Sequence, residues 1–165
     1  MAIDLLLQCA NEAEMKAIYS KGQTILLAED EEVYRSLICS VLQKEGFNIL
    51  LAANGREALE RAERCRRRIH LLLTDASMPE LEGPTLARYL QATWRDLKVI
   101  VMSAYPARLL SLDRGWTFIS KPFLVRSLVQ KVREALAQPP RLLSEHRQDG
   151  TLPRFSNRMG LRDFH

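Results

Sequence analysis

The chain has 165 residues, 47% hydrophobic and 27% charged, with 24 basic and 20 acidic side chains, a net charge of +4 and a pI near 9.1. That length suits one domain with a real core plus extensions, and is short for two complete ones. No run is long and apolar enough to cross a bilayer, no signal-peptide pattern opens the chain, and the small basic excess lacks an aromatic-interleaved patch, so a cytoplasmic protein is expected, with neither membrane nor nucleic acid as its partner.

Residues 1–21 place Leu5, Leu6, Cys9, Ala13, Ala17 and Ile18 at roughly helical spacing behind Asp4, which predicts an accessory helix. Its role is open between packing on the domain, pairing with a second copy in a homodimer, and serving as part of a linker. Gly22 breaks the pattern, and Thr24–Ala28 reads as a buried strand ending in Glu29-Asp30-Glu31-Glu32. Val33, Leu37, Ile38, Val41 and Leu42 mark an amphipathic helix from Glu32 to Glu45, stopped by Gly46. Phe47–Ala52 follows as a strand, Asn54-Gly55 as a turn, and Glu57–Arg66 as a helix whose end, with Arg64, Arg66, Arg67 and Arg68, complements the helix dipole.

Ile69–Thr74 is the third strand and leads to Asp75; His70 at its start has no ligand-spaced partner and takes a structural role. Pro84 begins a helix to Thr93, Leu97–Met102 is a strand ending in Ser103-Ala104, and Trp116–Ile119 is a strand ending in Ser120-Lys121-Pro122-Phe123. A last helix runs from Val125 and is closed by Pro139-Pro140. Cys9, Cys39 and Cys65 are odd in number, far apart and outside CxxC or His-Cys spacing, which indicates neither a disulfide framework nor a zinc site.

Short apolar strands alternating with helices imply an α/β fold, a doubly wound parallel sheet covered on both faces, with its ligand site at the carboxyl ends of the strands. Alone, Asp75 is explained as well by capping a turn as by chemistry. Its partners at the other strand ends are Glu29 and Asp30, Ser103, and Lys121. Three acids against one lysine leave two negative charges, and each close pair of like charges costs on the order of 4 kcal/mol at 4 Å and an effective dielectric near 20. One divalent ion balances them, and all-oxygen ligands with room for water suit Mg2+. The metal and Lys121 then seat a phosphoryl group, with Ser103 as hydroxyl donor and Asp75 as nucleophile. No Ser-His-Asp set converges there and no glycine-rich phosphate loop is present, which argues against a hydrolase and against a nucleotide ligand.

These residues resemble the receiver domains of two-component response regulators. The resemblance covers about Gln23 to Gln138 and is carried by Glu29-Asp30-Glu31, by Asp75-Ala76-Ser77-Met78-Pro79 with Gly83, by Ser103-Ala104, and by Lys121-Pro122-Phe123. It implies a flavodoxin-like five-stranded sheet of order 2-1-3-4-5, with a receiver domain at 22–138 between the extension at 1–21 and a tail at 139–165. It also implies a phosphoacceptor that assists its own phosphorylation and dephosphorylation, not a conventional enzyme. Asp75 would take a phosphoryl group from a phosphohistidine on a sensor histidine kinase or histidine phosphotransfer protein, and the modified domain would switch its contacts with a downstream protein target. Asp30, Asp75 and the backbone carbonyl of Ser77 would bind Mg2+, with Glu29 acting directly or through water. Lys121 would grip one phosphoryl oxygen; Ser103, assisted by the Ala104 amide, would move to another. Phe118 stands where the family has an aromatic switch, although a core phenylalanine on a strand reads identically. Ser77 and Tyr105 stand where the family tunes acyl-phosphate lifetime.

Two features depart from the family pattern. Ser103 to Lys121 is shorter by roughly one helical turn, about four residues, so 105–115 should hold a shortened or irregular fourth helix. Glu29 replaces the more usual Asp, which changes reach more than charge. The tail from Arg141 to His165, with five arginines and two histidines but no sustained periodicity, is too short for a helix-turn-helix DNA-binding domain and reads as flexible. A single-domain regulator, the receiver portion of a hybrid histidine kinase, and a pseudo-receiver used as a constitutive interaction or dimerisation module are the readings left.

Overall fold

A computed structural model describes residues 22–107, 110 and 112–139. The expected N-terminal helix and basic tail lie outside the described residues, apart from Pro139 at the tail's start. In chain order the elements are β1 (Thr24–Ala28), α1 (Glu32–Lys44), β2 (Asn48–Ala52), α2 (Gly55–Arg64), β3 (Leu71–Asp75), α3 (Gly83–Thr93), β4 (Lys98–Ser103), β5 (Thr117–Ser120) and α4 (Val125–Ala137). The strands form one sheet of order β2-β1-β3-β4-β5, every neighbouring pair parallel.

Parallel pairing needs crossovers, and the crossovers cover both faces, which is why β1, β3 and β4 are nearly continuous apolar runs. Alternate residues divide between two cores. Ile25, Leu27, Leu71, Leu73, Ile100 and Met102 pack with Ile38 and Leu42 of α1 and Leu128 and Val132 of α4. Leu26, Leu72, Val99 and Val101 pack with Ala58 and Ala62 of α2 and Leu86 and Leu90 of α3.

Several boundaries differ from the sequence reading. β3, β4 and β5 run one residue further, through Asp75, Ser103 and Ser120, because the ladder ignores side-chain polarity: the Ala76 N–H still donates to Met102 O at 2.8 Å and the Lys121 N–H to Ser103 O at 2.8 Å. Gly55 is the first residue of α2, not part of a free turn. A Cβ there would lie 2.1 Å from the Leu81 carbonyl oxygen, so the glycine admits the loop that follows β3. α2 ends at Arg64, leaving Arg66, Arg67 and Arg68 beyond the helix, so of the four arginines only Arg64 lies in the last turn. Between β4 and β5 the described residues form turns, with no α-helix among them; the Leu110 N–H donates to Ala107 O at 3.0 Å and the Trp116 N–H to Asp113 O at 3.2 Å.

This segment is held against α3. Arg88 pairs with Asp113 at 3.1 Å and lies 5.5 Å from the Trp116 ring centroid, while Trp116 Nε1–H donates to Gln91 Oε1 at 2.9 Å. His70 has the structural role expected. It accepts the Thr24 N–H at Nδ1 (3.0 Å) and gives its own backbone N–H to Thr24 O (2.9 Å), joining the starts of β1 and β3.

Candidate functional site

The carboxyl ends of β1, β3, β4 and β5 bring Glu29, Asp30, Asp75, Ser103 and Lys121 to one edge of the sheet. β1 leaves the core at Ala28, and the next two residues diverge. Glu29 is fully buried, with its N–H on Ala52 O at 3.1 Å, whereas Asp30 is exposed. Asp75 closes β3 and is half-buried. A Cβ on Gly83 would lie 2.0 Å from the Asp75 carbonyl oxygen, so glycine is what allows the start of α3 to pack on the strand end.

Lys121 bridges two of the acids. Its ammonium donates to Glu29 Oε2 at 2.8 Å and to Asp75 Oδ2 at 2.5 Å, with only 10% of its side chain exposed. Burial pulls the Lys121 pKa down, but the hydrogen bonds and charges of Asp75 and Glu29 outweigh it and leave the ammonium more basic than usual. For Glu29, burial dominates and raises the carboxyl pKa despite the bond to Lys121; the charge of Asp75 adds to the rise. The second Glu29 oxygen, Oε1, is buried and has no hydrogen-bond partner among the described residues.

That orphaned oxygen tests whether a cation fits. A buried acceptor with no partner is costly to leave unmade. Here Glu29, Asp30 and Asp75 each offer an oxygen within 4.8 Å of the others. An all-oxygen set with one exposed member leaves water to complete the shell, as Mg2+ prefers. The residues fit the metal.

Ser77, Ser103 and Tyr105 line the same cleft, and Phe118 is not among its lining residues. The Ser77 N–H donates to Asp75 Oδ1 at 3.2 Å; Ser103, buried, accepts the Tyr105 N–H at Oγ (3.0 Å). Tyr105 is 61% exposed and forms the rim with Ser77, Ala104 and Pro122. Phe118 pairs with Val101 in the β4–β5 register and is half-buried on the edge strand, outside both buried cores.

The sequence reading quoted Glu31 only as part of the acidic run and missed Tyr34 and Arg35, all three at the start of α1. Glu31 and Tyr34 line the cleft, and Tyr34 places its ring 4.9 Å from Lys121 Nζ. Arg35 Nη1 donates to the backbone oxygens of Glu29 at 2.7 Å and Asp30 at 3.1 Å, fixing the turn that presents both acids. One signal was available. A base in the first turn of a helix runs against the dipole, which asks for another use of Arg35. Nothing comparable distinguishes Tyr34 from a core-facing residue.

A family model described as response regulator receiver domain matches residues 25–133. Among curated relatives, the chain is 39% identical over 121 residues to the sensor kinase CckA of Brucella abortus, covering 71% of this chain but 13% of that protein. It is 36% identical over 116 residues to the response regulator receiver protein CpdR of the same organism, covering 68% of this chain and 95% of that one. Among solved structures, the receiver domain of a Pseudomonas aeruginosa sensor histidine kinase, with a magnesium ion coordinated in its active-site cleft, superposes with a TM-score of 0.63 at 29% identity, over 71% of this chain and 99% of that one.

Proposed function

The chain belongs to the response regulator receiver family, and from that premise we propose that Asp75 is its phosphoacceptor, loaded from a phosphohistidine in a Mg2+-dependent step. The observation that carries the proposal is the Lys121 ammonium held between Asp75 and Glu29 beside the orphaned Glu29 oxygen.

Glu29, Asp30, Asp75 and the Ser77 backbone carbonyl are the groups that would hold the ion. When bound, Mg2+ supplies positive charge for the phosphoryl oxygens. An Asp75 carboxylate oxygen attacks phosphorus in line. The new O–P bond forms as the donor's P–N bond breaks, and the imidazole nitrogen keeps the electron pair. Lys121 exchanges its bond to Asp75 for one to a phosphoryl oxygen, since the carboxylate oxygen it now holds loses charge on esterification. Ser103, at the end of the neighbouring strand, donates its hydroxyl hydrogen to a second oxygen. That movement competes with the bond Oγ accepts from the Tyr105 N–H, and thereby transmits the event into the turns before β5. Ser77 and Tyr105 flank the line by which water reaches phosphorus and set the lifetime, while Phe118, half-buried on the edge strand, is the switch aromatic.

The protein is thus a phosphoacceptor that assists its own loading and decay, acting in the cytoplasm between a histidine kinase or phosphotransfer protein and a downstream partner. No helix among the described residues is long and apolar enough to cross a membrane. A second reading, the receiver portion of a hybrid kinase, is favoured by the similarity to CckA, whose length the chain spans only in part. Incubation with Mg2+ and a small acyl-phosphate donor, followed by intact mass measurement, tests the chemistry. One phosphoryl group is expected on the native protein and none on Asp75→Asn or without Mg2+. Equal gain by Asp75→Asn rejects Asp75 as the acceptor, and no gain at all rejects the chemistry and favours the pseudo-receiver.

A further inference from the structure

We infer that Tyr34 is a positioning residue for phosphoryl transfer, its ring face holding the Lys121 ammonium at the Asp75 carboxylate; the inference rests on the function proposed above. The ammonium lies 4.9 Å from the Tyr34 ring centroid, inside the range in which the negative face of an aromatic ring attracts a cation. Little water competes there, since the Lys121 side chain is 10% exposed.

The ring is itself held in place. Phe123, two residues after Lys121, neighbours it with ring centroids 6.4 Å apart and planes inclined at 58°. Both aromatics pack against the core beneath α1 and α4. Lys121 is fixed at its backbone by the bond from its N–H to Ser103 O, but its four-carbon stem has many rotamers and its head has three donor hydrogens. Two carboxylates accept hydrogen bonds from the head, and the head also lies over the Tyr34 ring.

The choice of a ring over a further acid has a chemical reason. In the reaction Lys121 must leave Asp75 for a phosphoryl oxygen. A third carboxylate would compete for the ammonium with a directional bond and add repulsion to a site already rich in negative charge. A ring face attracts without formal charge and tolerates a small displacement of the head. Tyr34 thereby narrows the Lys121 rotamers to those that reach the transition state, and its effect falls on rate and not on metal binding.

The test uses the full chain with Tyr34→Phe, Tyr34→Leu and Tyr34→Met. Three quantities are read: the initial rate of phosphoryl gain from acetyl phosphate at saturating Mg2+, the Mg2+ midpoint, and the proton shifts of the Lys121 ε-methylene in the metal-free protein. Tyr34→Phe should match the native protein in all three. Tyr34→Leu and Tyr34→Met should load about five-fold more slowly with an unchanged Mg2+ midpoint, and should lose the upfield ring-current shift on Lys121. Should Tyr34→Leu fail to fold, the Met and Phe variants carry the comparison. Native loading rates in the folded non-aromatic variants, a defect as large in Tyr34→Phe, or a native protein without the upfield shift each overturn the inference. A native protein that shows the shift but gains no phosphoryl group upholds the contact and instead overturns the proposed function.

Discussion

Asp30 and Glu29 adjoin in sequence, yet one is solvated and the other sealed, and their substitution should have different consequences. Asp30→Asn removes a ligand and one of three crowded negative charges. Mg2+ affinity should fall by at least about ten-fold, while the metal-free protein should unfold at a higher urea concentration than the native one; a lower midpoint contradicts the crowding argument. His70 gives a pH prediction. Burial, then the charge of Arg68, holds its pKa below the ordinary 6.5, and a ring protonated at Nδ1 could not accept the Thr24 N–H. A base whose folded pKa is depressed contributes stability that is complete above 6.5 and lost as pH falls through the folded value. The His70 ring signals should therefore titrate below 6.5, and His70→Asn should flatten the loss of stability between about pH 7 and pH 5; titration at or above 6.5 rules this out. At this scale the acids, the hydroxyl and the lysine were legible because each closes an apolar run. Tyr34 and Arg35 were not singled out, since their roles depend on how the first turn of α1 lies against the strand ends.

The helix starts and the loop after β3 carry the next level of specification. Asn54 Oδ1 accepts the Glu57 N–H at 2.7 Å, and Glu57 Oε2 accepts the Ala53 N–H at 2.6 Å, a reciprocal cap displaced by one residue from the usual box. The bond from Ala53, then that from Arg61, lowers the Glu57 pKa, so the cap contributes above pH 4.5 and weakens as pH falls through the folded value. Asn54→Ala should cost about 1 kcal/mol in urea unfolding at neutral pH, and a loss under a few tenths would show the cap to be idle. Gly83→Ala should cost about 1–3 kcal/mol and slow phosphorylation, because its methyl group would displace the Asp75 backbone; native behaviour contradicts that packing. Helix periods and the turn residues around Asp75 were legible in the sequence. The start of α2 was not, since the reason for Gly55 is the Leu81 carbonyl, 26 residues away in the chain. The shortened stretch before β5 was legible as a deficit, but its attachment to α3 through Arg88, Gln91 and Trp116 is tertiary.

For the whole molecule, five short strands alternating with helices left one economical architecture, and because the strands run parallel their carboxyl ends bring the acids, the hydroxyl and the lysine to a single edge. Length and net charge said little beyond class. The phosphoacceptor role proposed for Asp75 at this edge is tested by identifying the modified residue. After incubation with Mg2+ and acetyl phosphate, borohydride reduction converts an aspartyl phosphate to homoserine, which peptide mass mapping locates. The account predicts homoserine at position 75 in the complete reaction and at no position when Mg2+ or donor is omitted. Homoserine at another aspartate, or a phosphoryl gain with none at 75, contradicts it.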